Sequence, residues 1–200
     1  MPESRPRVAA VIPTLNEQEA IAGVVAAIPL DVVDRVIVVD SGSSDGTVAR
    51  ASAAGAGVIS EKRRGYGRAC RVGAEAAADC EIVVFLDGDG SDCPEAIPLL
   101  VAPLAEGRAD FVIGSRARGT RERGSMNAHQ LFAGYTIGAA LALLYGVRYT
   151  DMGPMRAIRR DVLLGLGMEE MTYGWNLEMQ MRAARIGLRV LEVPVAHRRD

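Results

Sequence analysis

Cysteine, aromatic residues and net charge are all scarce in this sequence of 200 residues. The three cysteines, Cys70, Cys80 and Cys93, are an odd number without metal-ligand spacing. They predict small buried side chains in a reducing cytoplasm and no disulfide framework. A net charge of −2 gives no general attraction to nucleic acid or anionic lipid. Because aromatic residues make up only 4% of the chain, its core must consist mainly of aliphatic side chains and methionine.

Long hydrophobic runs are also missing. The apolar run at 8–12 ends at Pro13 and is too short for the apolar part of a signal peptide. One segment, 129–147, has no charged residue and approaches the length of a membrane-spanning helix. Because it contains Gln130, Thr136 and several small residues, it predicts a helix packed in the domain, on a partner or on a membrane surface, and not one that crosses a bilayer.

Short apolar strands alternate with helical patterns along the whole chain. Strand patterns occur at 7–12, 34–39, 58–60, 82–86, 109–113, 151–158 and 188–193. This alternation predicts a single α/β domain over residues 1–200 with a mostly parallel sheet. Thr14 and Glu17 match a capping box at the start of the first helix, predicted over 17–28, with Asn16 as the alternative cap. In such sheets ligands bind at the carboxyl ends of the strands.

The segment 85–92 joins an apolar strand to a turn of acid and glycine. Its three carboxylates, Asp87, Asp89 and Asp92, repel one another, so a fold that gathers them at a strand end needs a compensating cation. Mg²⁺ and Mn²⁺ prefer oxygen ligands, and Mg²⁺ often binds one or two carboxylates together with substrate phosphates. The alternative is a solvated acidic β-turn that binds nothing.

Four motifs follow the predicted strand ends in order along the chain. They are 11–17 (VIPTLNE), 38–47 (VVDSGSSDGT), 86–89 (LDGD) and 114–116 (GSR). Together they resemble the family 2 glycosyltransferases of GT-A fold, and most of all the soluble bacterial branch related to dolichyl-phosphate mannose synthases. The resemblance covers nearly the whole chain and implies a Rossmann-like, mostly parallel twisted sheet flanked by helices.

The resemblance implies that the donor substrate is a nucleotide-diphosphate sugar. Its binding site is expected to comprise Pro13, Thr14, Asn16, Glu17, Asp40, Arg68, Asp87 and Arg116. Asp40 would accept a hydrogen bond from the base or hold the ribose, or alternatively cap its own turn. Arg116 would pair with the diphosphate through its planar fork. Arg68 is either a donor-substrate contact or a solvated arginine.

The family pattern also implies a divalent metal, Mg²⁺ or Mn²⁺. Asp89 is expected to be the direct ligand and Asp87 a metal or ribose contact, with Ser91 or Asp92 completing the shell. Relatives often carry glutamine at the position of Ser91, so this ligand departs from the pattern. No cluster of cysteine and histidine in the sequence suggests zinc.

Acceptor-side residues are expected in the last third of the chain. By position in the family, Asp151, Arg156 and Glu178 are the candidate catalytic residues. Glu178 is the first choice for a general base that takes the proton of a hydroxyl acceptor, with Asp151 behind it. Trp175 is either an apolar wall that raises the pKa of this carboxyl or the core anchor of its helix. A phosphate acceptor is already ionised and needs no base.

The predicted function is metal-dependent, inverting transfer of a sugar from a UDP- or GDP-sugar to a polyprenyl phosphate or a small hydroxyl metabolite. The expected location is cytoplasmic, with peripheral contact at the inner face of the membrane and homodimerisation left open, and no nucleic acid partner is expected. The alternatives are a non-catalytic nucleotide-sugar-binding module and a sugar nucleotidyltransferase. The latter usually carries a glycine-rich, lysine-bearing loop after the first strand, which this sequence lacks. A dehydrogenase is disfavoured because no Gly-x-Gly-x-x-Gly follows that strand.

The carboxyl end departs from the family pattern. Relatives continue past the position of 197–199 into a basic stretch that helps hold the acceptor or the donor phosphates, whereas this sequence ends at Asp200. We therefore expect a C-terminal acceptor segment that is short or truncated. This departure favours the binding module, while the intact Asp87, Asp89 and Arg116 favour an enzyme.

Overall fold

The computed structural model describes residues 5–120, 138–139 and 142–198. Within these ranges one sheet contains β1 (Val8–Thr14), β2 (Arg35–Asp40), β3 (Gly57–Ser60), β4 (Ile82–Phe85), β5 (Phe111–Ser115), β6 (Arg156–Arg159) and β7 (Val190–Pro194). Their order across the sheet is β3-β2-β1-β4-β6-β5-β7. β6 runs antiparallel to β4 and β5, and the other neighbouring strands are parallel. The predicted mostly parallel α/β sheet is confirmed.

Helices cover both faces of the sheet. In the described part of the chain they are α1 (Ile21–Ala26), α2 (Thr47–Ala53), α3 (Tyr66–Ala76), a 3₁₀ turn (Pro94–Ala96) that leads into α4 (Ile97–Ala105), α5 (Arg160–Gly165) and α6 (Trp175–Arg185). α1 and α4 bury Ile21 and Leu100 on one face, whereas α3 and α6 bury Ala69 and Trp175 on the other. The three cysteines are buried free thiols, as predicted.

The strand register places the ends of β1, β2 and β4 side by side. β4 consists of four buried apolar residues, as expected for a strand covered by helices on both faces. Phe85 pairs with Val11, and Thr14 pairs with Asp40. The acidic turn after β4 therefore begins beside the last residues of β1, at the sheet edge predicted to carry the site.

The start of α1 differs from the predicted helix 17–28. Pro13 and Thr14 continue β1, and the Thr14 hydroxyl donates to a carbonyl of β2, so it does not cap a helix. Pro13 is tolerated in the strand because β4 has already ended at this level and needs no N–H from it. The Glu17 N–H donates instead to the Thr47 hydroxyl at 2.8 Å. The capping-box prediction is wrong because a contact from the β2–α2 turn replaces it.

The uncharged segment 129–147 lies largely outside the described residues. Its described part includes a helical piece at 142–145, in which Leu143 and Leu144 are exposed. Among the helices of the described ranges, none has both the length and the hydropathy to cross a bilayer.

Candidate active site

A cavity of about 520 Å³ opens at the carboxyl edge of the sheet. Five segments line it: the turn after β1, the end of β2, the loop into α3, the acidic turn after β4 and the loop before α6. The lining residues are Pro13, Thr14, Leu15, Glu17, Ser41, Arg64, Gly65, Tyr66, Asp87, Gly88, Asp89, Thr172 and Tyr173. Small-molecule sites typically span about 300–1,000 Å³. The cavity has this size and brings together Pro13, Thr14, Glu17, Asp87 and Asp89 of the predicted site.

The acidic turn after β4 is held by its own carboxylates. The Asp92 carboxylate accepts from the Asp87 backbone N–H at 3.0 Å, and Asp89 accepts from the Ser91 N–H at 2.9 Å. Gly90 has a φ of +86°, a conformation that favours glycine. Asp87 and Asp92 each keep one buried carboxylate oxygen without a hydrogen-bond partner among the described residues. Native folds leave few such atoms unpaired, so these two oxygens point to a bound ion, ligand or water.

Burial and mutual repulsion disfavour the charged form of this cluster. Burial, followed by the charges of Asp92 and Asp89, raises the pKa of Asp87. Burial likewise raises the pKa of Asp92, although its hydrogen bond from Asp87 and the charge of Arg116 oppose the rise. A cation held by these carboxylates would relieve both effects, so their chemistry fits a hard divalent ion.

His197 joins this cluster from the segment after β7. Its backbone N–H donates to the Thr120 carbonyl at 3.1 Å, and it forms an isolated β-bridge with Asp92. Its buried Nδ1 lies 4.0 Å from the Asp92 carboxylate and has no hydrogen-bond partner in the described ranges. Sequence reasoning treated this histidine only as part of a basic tail. The sequence did contain a signal for a ligand role, because this histidine follows a predicted strand by a few residues and histidine is the commonest metal ligand in proteins.

The protein groups alone do not complete a metal shell in the described ranges. No set of three or more histidine, cysteine, aspartate or glutamate side chains converges there in a metal-binding arrangement. Mg²⁺ commonly binds through one or two carboxylates plus substrate phosphates. A divalent ion held by Asp87 and Asp89 would accordingly draw further ligands from a phosphorylated substrate.

We expect the metal-free protein to lose stability as pH rises above the ordinary carboxyl pKa of about 4. Because folding raises the pKa of Asp87, the folded state keeps a proton that the unfolded chain has released. This contribution is therefore complete at low pH and is lost as pH rises towards the folded-state pKa. Asp87→Asn should flatten the decline, which urea unfolding between about pH 5 and pH 8 measures. An equal decline of the free energy of unfolding in both proteins would show that Asp87 does not cause this pH dependence.

Arg116 and Asp151 form a buried ion pair beside the acidic turn. Nε and Nη2 of Arg116 each lie 2.8 Å from the Asp151 carboxylate. Burial acts to raise the pKa of Asp151, but the hydrogen bonds and charge of Arg116 outweigh it and hold that pKa below its ordinary value. A carboxylate so engaged is a poor proton acceptor, so its position fits an orienting role better than the predicted base role. The Arg116 charge also acts on Asp92 and Asp87.

Asp40 and Asn16 shape the turns around the cavity. Asp40 accepts from the backbone N–H groups of Gly42 and Ser43 at 3.1 Å, so the turn-capping alternative is observed. Asn16 has a left-handed φ of 60° and accepts from the Ser44 N–H at 2.9 Å, which ties the turn after β1 to the turn after β2. Neither side chain is a lining residue of the cavity, and a contact with the donor substrate stays a prediction.

The loop into α3 presents a different arginine from the predicted one. Arg68 does not line the cavity, and its buried Nε has no hydrogen-bond partner among the described residues. Arg64 lines the cavity, is exposed, and forms no ion pair with any described residue. The sequence could not single it out, because its neighbour Arg63 looks the same yet pairs with Glu61 at 3.0 Å.

Arg156, a predicted catalytic residue, is fully buried and is not a lining residue of the cavity. Its guanidinium donates to the carbonyls of Gly153 and, at 3.1 Å, Asn176. Its central carbon lies 5.9 Å from the centre of the Phe111 ring. These contacts tie the turn before β6 to the start of α6. A side chain in this position cannot contact a substrate directly. Arg156 instead stabilises the packing of this turn against α6.

Glu178 also lies away from the cavity, in a separate groove of about 440 Å³. Its carboxylate accepts from the backbone N–H groups of Glu169 and Glu170 and from Arg182 Nε, one turn along the helix. Trp175 packs edge-on against a phenylalanine of β4, as a core anchor would. Because this carboxylate lies outside the cavity and is engaged by three donors, it does not fit the predicted role of general base.

Comparison with solved structures assigns the fold to a known class. The chain matches glucosyl-3-phosphoglycerate synthase of Mycobacterium tuberculosis, solved with Mn²⁺, UDP-glucose and phosphoglyceric acid, at a TM-score of 0.79 and 29% identity, covering 98% of this chain and 73% of that one. The fold is that of GT-A glycosyltransferases. More specifically, the chain belongs to glycosyl transferase family 2, whose model matches residues 9–167.

Curated relatives agree with this assignment. An uncharacterized glycosyltransferase of Mycobacterium tuberculosis is 38% identical over 194 residues, which cover 95% of this chain and 84% of the relative. The undecaprenyl-phosphate mannosyltransferase of Micrococcus luteus is 31% identical over 204 residues, covering 94% and 82% respectively. The family resemblance and the glycosyltransferase class predicted from the sequence are confirmed.

Proposed function

We propose that this protein transfers a sugar from a UDP- or GDP-sugar to a phosphate-bearing acceptor, with a divalent metal bound at the acidic turn. The observation that carries the proposal is the acid cluster itself. Asp87 and Asp89 line the cavity at the strand ends, Asp87 and Asp92 each hold an unpaired buried oxygen, and the charge of Arg116 acts on this cluster. The whole described chain would act as one catalytic domain.

Leaving-group stabilisation is the main electrostatic task of the proposed reaction. As the bond to the anomeric carbon breaks, negative charge accumulates on the nucleoside diphosphate. Asp87 and Asp89 would hold Mg²⁺ or Mn²⁺, which supplies Lewis-acid stabilisation of that charge when bound. Arg116 would add a fixed positive charge, and the Asp151 carboxylate keeps its guanidinium in one orientation. Pro13, Thr14 and Ser41 of the cavity would receive the nucleoside.

Donor binding tests this proposal directly. Thermal-shift measurements with UDP- and GDP-sugars, each with and without Mn²⁺, should show one donor class that raises the melting temperature only when Mn²⁺ is present. Binding to the folded state alone stabilises a protein by about 2.7 kcal/mol at 100 times the dissociation constant. Failure of every donor to stabilise the protein in Mn²⁺ would overturn the proposal.

Arg116→Lys is expected to weaken UDP or GDP binding about tenfold, because lysine cannot keep the bidentate pair with Asp151 that fixes this positive charge beside the acidic turn. Calorimetric titration in Mn²⁺ measures the change. Arg118→Lys is a matched control, since Arg118 is a nearby arginine whose Nη1 donates only to a backbone carbonyl at 3.1 Å. Equal affinities of the wild type and Arg116→Lys for UDP or GDP would show that Arg116 does not contribute to diphosphate binding.

A phosphate acceptor fits the described residues better than a hydroxyl acceptor. A hydroxyl needs a base within hydrogen-bond reach, and the two candidates, Asp151 and Glu178, are both engaged by other groups. An ionised phosphate needs no base, and the exposed Arg64 at the cavity offers it a positive charge. The name of the Micrococcus luteus relative supports a polyprenyl phosphate in this role.

The acceptor class is tested by paired compounds. Polyprenyl phosphate would be compared with the corresponding polyprenol and with phosphoglyceric acid, which carries a free hydroxyl, and sugar transfer would be measured by mass spectrometry. We expect product from polyprenyl phosphate only. Product formed at a hydroxyl group, from the polyprenol or from phosphoglyceric acid, would favour the hydroxyl acceptor. Tight donor binding without turnover on any compound would favour the non-catalytic module.

Peripheral contact with the inner face of the cytoplasmic membrane is part of this proposal. Leu143 and Leu144 are 88% and 68% exposed, close to the exposed Arg148, a combination that suits an anionic lipid surface. Cosedimentation with anionic vesicles should exceed that with neutral vesicles, and Leu143→Ser with Leu144→Ser should reduce it. The absence of binding to both vesicle types would contradict the proposed membrane contact. Homodimerisation stays a prediction.

A further inference from the structure

Residues 168–174, which we name the wall loop, form one side of the cavity. Thr172 and Tyr173 from this loop are lining residues. The Tyr173 ring is 88% exposed and stacks on Tyr66, with ring centres 6.4 Å apart and planes inclined by 20°. Tyr66 lines the same cavity as Asp87. The wall loop therefore contributes an exposed aromatic ring to the cavity, next to Tyr66.

Backbone hydrogen bonds and close packing hold the wall loop against the start of α3. The N–H groups of Gly67 and Arg68 donate to carbonyls of the loop at 3.2 and 3.0 Å. A Cβ at Gly65 would lie 2.3 Å from the Met171 carbonyl oxygen, and one at Gly67 would lie 2.6 Å from the Glu170 carbonyl oxygen. Only glycine fits at such distances. The place of Tyr66 therefore depends on the place of the wall loop.

Glu178 anchors the other side of the wall loop. Its carboxylate accepts from the Glu169 N–H at 3.1 Å and the Glu170 N–H at 2.8 Å, and Arg182 Nε donates to it at 2.7 Å. The Glu178 side chain is only 17% exposed. Hydrogen bonds to an ionised acceptor are about twice as strong as neutral ones, so this carboxylate is a strong local restraint on the loop backbone.

We propose that Glu178 is a positioning residue for sugar transfer, which holds the wall loop so that Thr172 and Tyr173 form a rigid side of the donor cavity. This inference rests on the proposed function. It assigns Glu178 a role in donor binding through the loop, without contact to either substrate. The carboxylate has no part in moving the acceptor proton.

A positioning residue and a general base leave different kinetic signatures. Loss of a base lowers kcat by about 10²–10⁴-fold and removes one limb of the pH profile. Loss of the anchor should mainly raise the KM and Kd of the donor substrate, because the cavity wall is no longer fixed before binding. The pH profile of kcat should then keep its shape.

The test compares Glu178→Gln with Glu75→Gln. We expect Glu178→Gln to raise the donor Kd and KM about tenfold, the effect of losing a charge-assisted hydrogen bond, with less than a threefold change in kcat. Glu75→Gln makes the same charge change in another arginine–glutamate pair one helical turn apart, on α3, where the Glu75 side chain is 57% exposed, and should leave all three values unchanged. Calorimetry and steady-state kinetics in Mn²⁺ supply the measurements.

Two further readouts complete the test, and the first keeps the inference falsifiable if Glu178→Gln is poorly folded. Tyr173→Ala alters an exposed ring and should reproduce the rise in donor Kd. Hydrogen exchange should speed up at the Glu169 and Glu170 amides in Glu178→Gln, and this needs no ligand. Unchanged donor binding with a hundredfold fall in kcat, or unchanged exchange, would overturn the positioning role. Absence of donor binding in the wild type would instead contradict the proposed function, while exchange would still decide the anchoring.

Discussion

Asp89→Asn is expected to reduce metal-dependent sugar transfer on the order of 10³-fold, the scale of losing a main group that stabilises developing negative charge. Asp89 lines the cavity, and one of its oxygens accepts from the Ser91 N–H. Asparagine keeps an oxygen that can accept this bond, so the turn should keep its shape. The substitution removes the negative charge that a divalent cation needs. The expected result is a folded protein with little turnover.

The measurement is initial-rate transfer in a Mn²⁺ titration, with circular dichroism to check the fold. Glu95→Gln is a matched control, because Glu95 is a nearby carboxylate that is 55% exposed and pairs with Arg198 at 3.2 Å. It should retain wild-type turnover. Wild-type turnover in Asp89→Asn would show that this carboxylate does not hold a catalytic metal.

Asp151→Ala is expected to lower the free energy of unfolding by about 3–5 kcal/mol. The Asp151 and Arg116 side chains are only 4% and 15% exposed, so the change leaves a largely buried guanidinium without its carboxylate. Such an unpaired charge is costly because it has lost both water and its partner. For a chain of this length we expect the melting temperature to fall by roughly 10 °C.

An exposed ion pair provides the control for this prediction. Asp161 pairs with Arg159 at 2.8 Å, with side chains 65% and 45% exposed, and pairs of this kind contribute less than about 1 kcal/mol. Urea unfolding of Asp151→Ala and Asp161→Ala should therefore give clearly different losses. Similar losses would show that burial does not make the Arg116 pair special.

Much of the fold could be predicted from the sequence because its signals are local. The all-apolar β4 and the alternation of strand and helix patterns predicted a mostly parallel sheet. A turn of acid and glycine directly after β4 predicted a polar site at the carboxyl edge, and the structure places Asp87 and Asp89 in the cavity there. Backbone periodicity and strand ends suffice for such predictions.

The partners of individual side chains could not be predicted in the same way. Glu178, Asp151 and Arg156 each occupy a position that suggested catalysis. Asp151 and Arg156 are engaged by groups 35 and 20 residues away in sequence, and Glu178 by the backbone of the loop before its helix. A β-bridge brings His197 next to Asp92, although the two residues are 105 positions apart in sequence. Contacts of this kind depend on tertiary packing, which leaves no periodic signal in a single sequence.

The most direct test of the account is the Mn²⁺ dependence of nucleoside-diphosphate binding, measured by calorimetry on the wild type and on Asp89→Asn. If the acidic turn holds a cation against the diphosphate, Mn²⁺ should tighten UDP or GDP binding to the wild type at least about tenfold. It should have no such effect on Asp89→Asn. Equal affinities with and without Mn²⁺ in the wild type, or equal tightening in both proteins, would contradict the account.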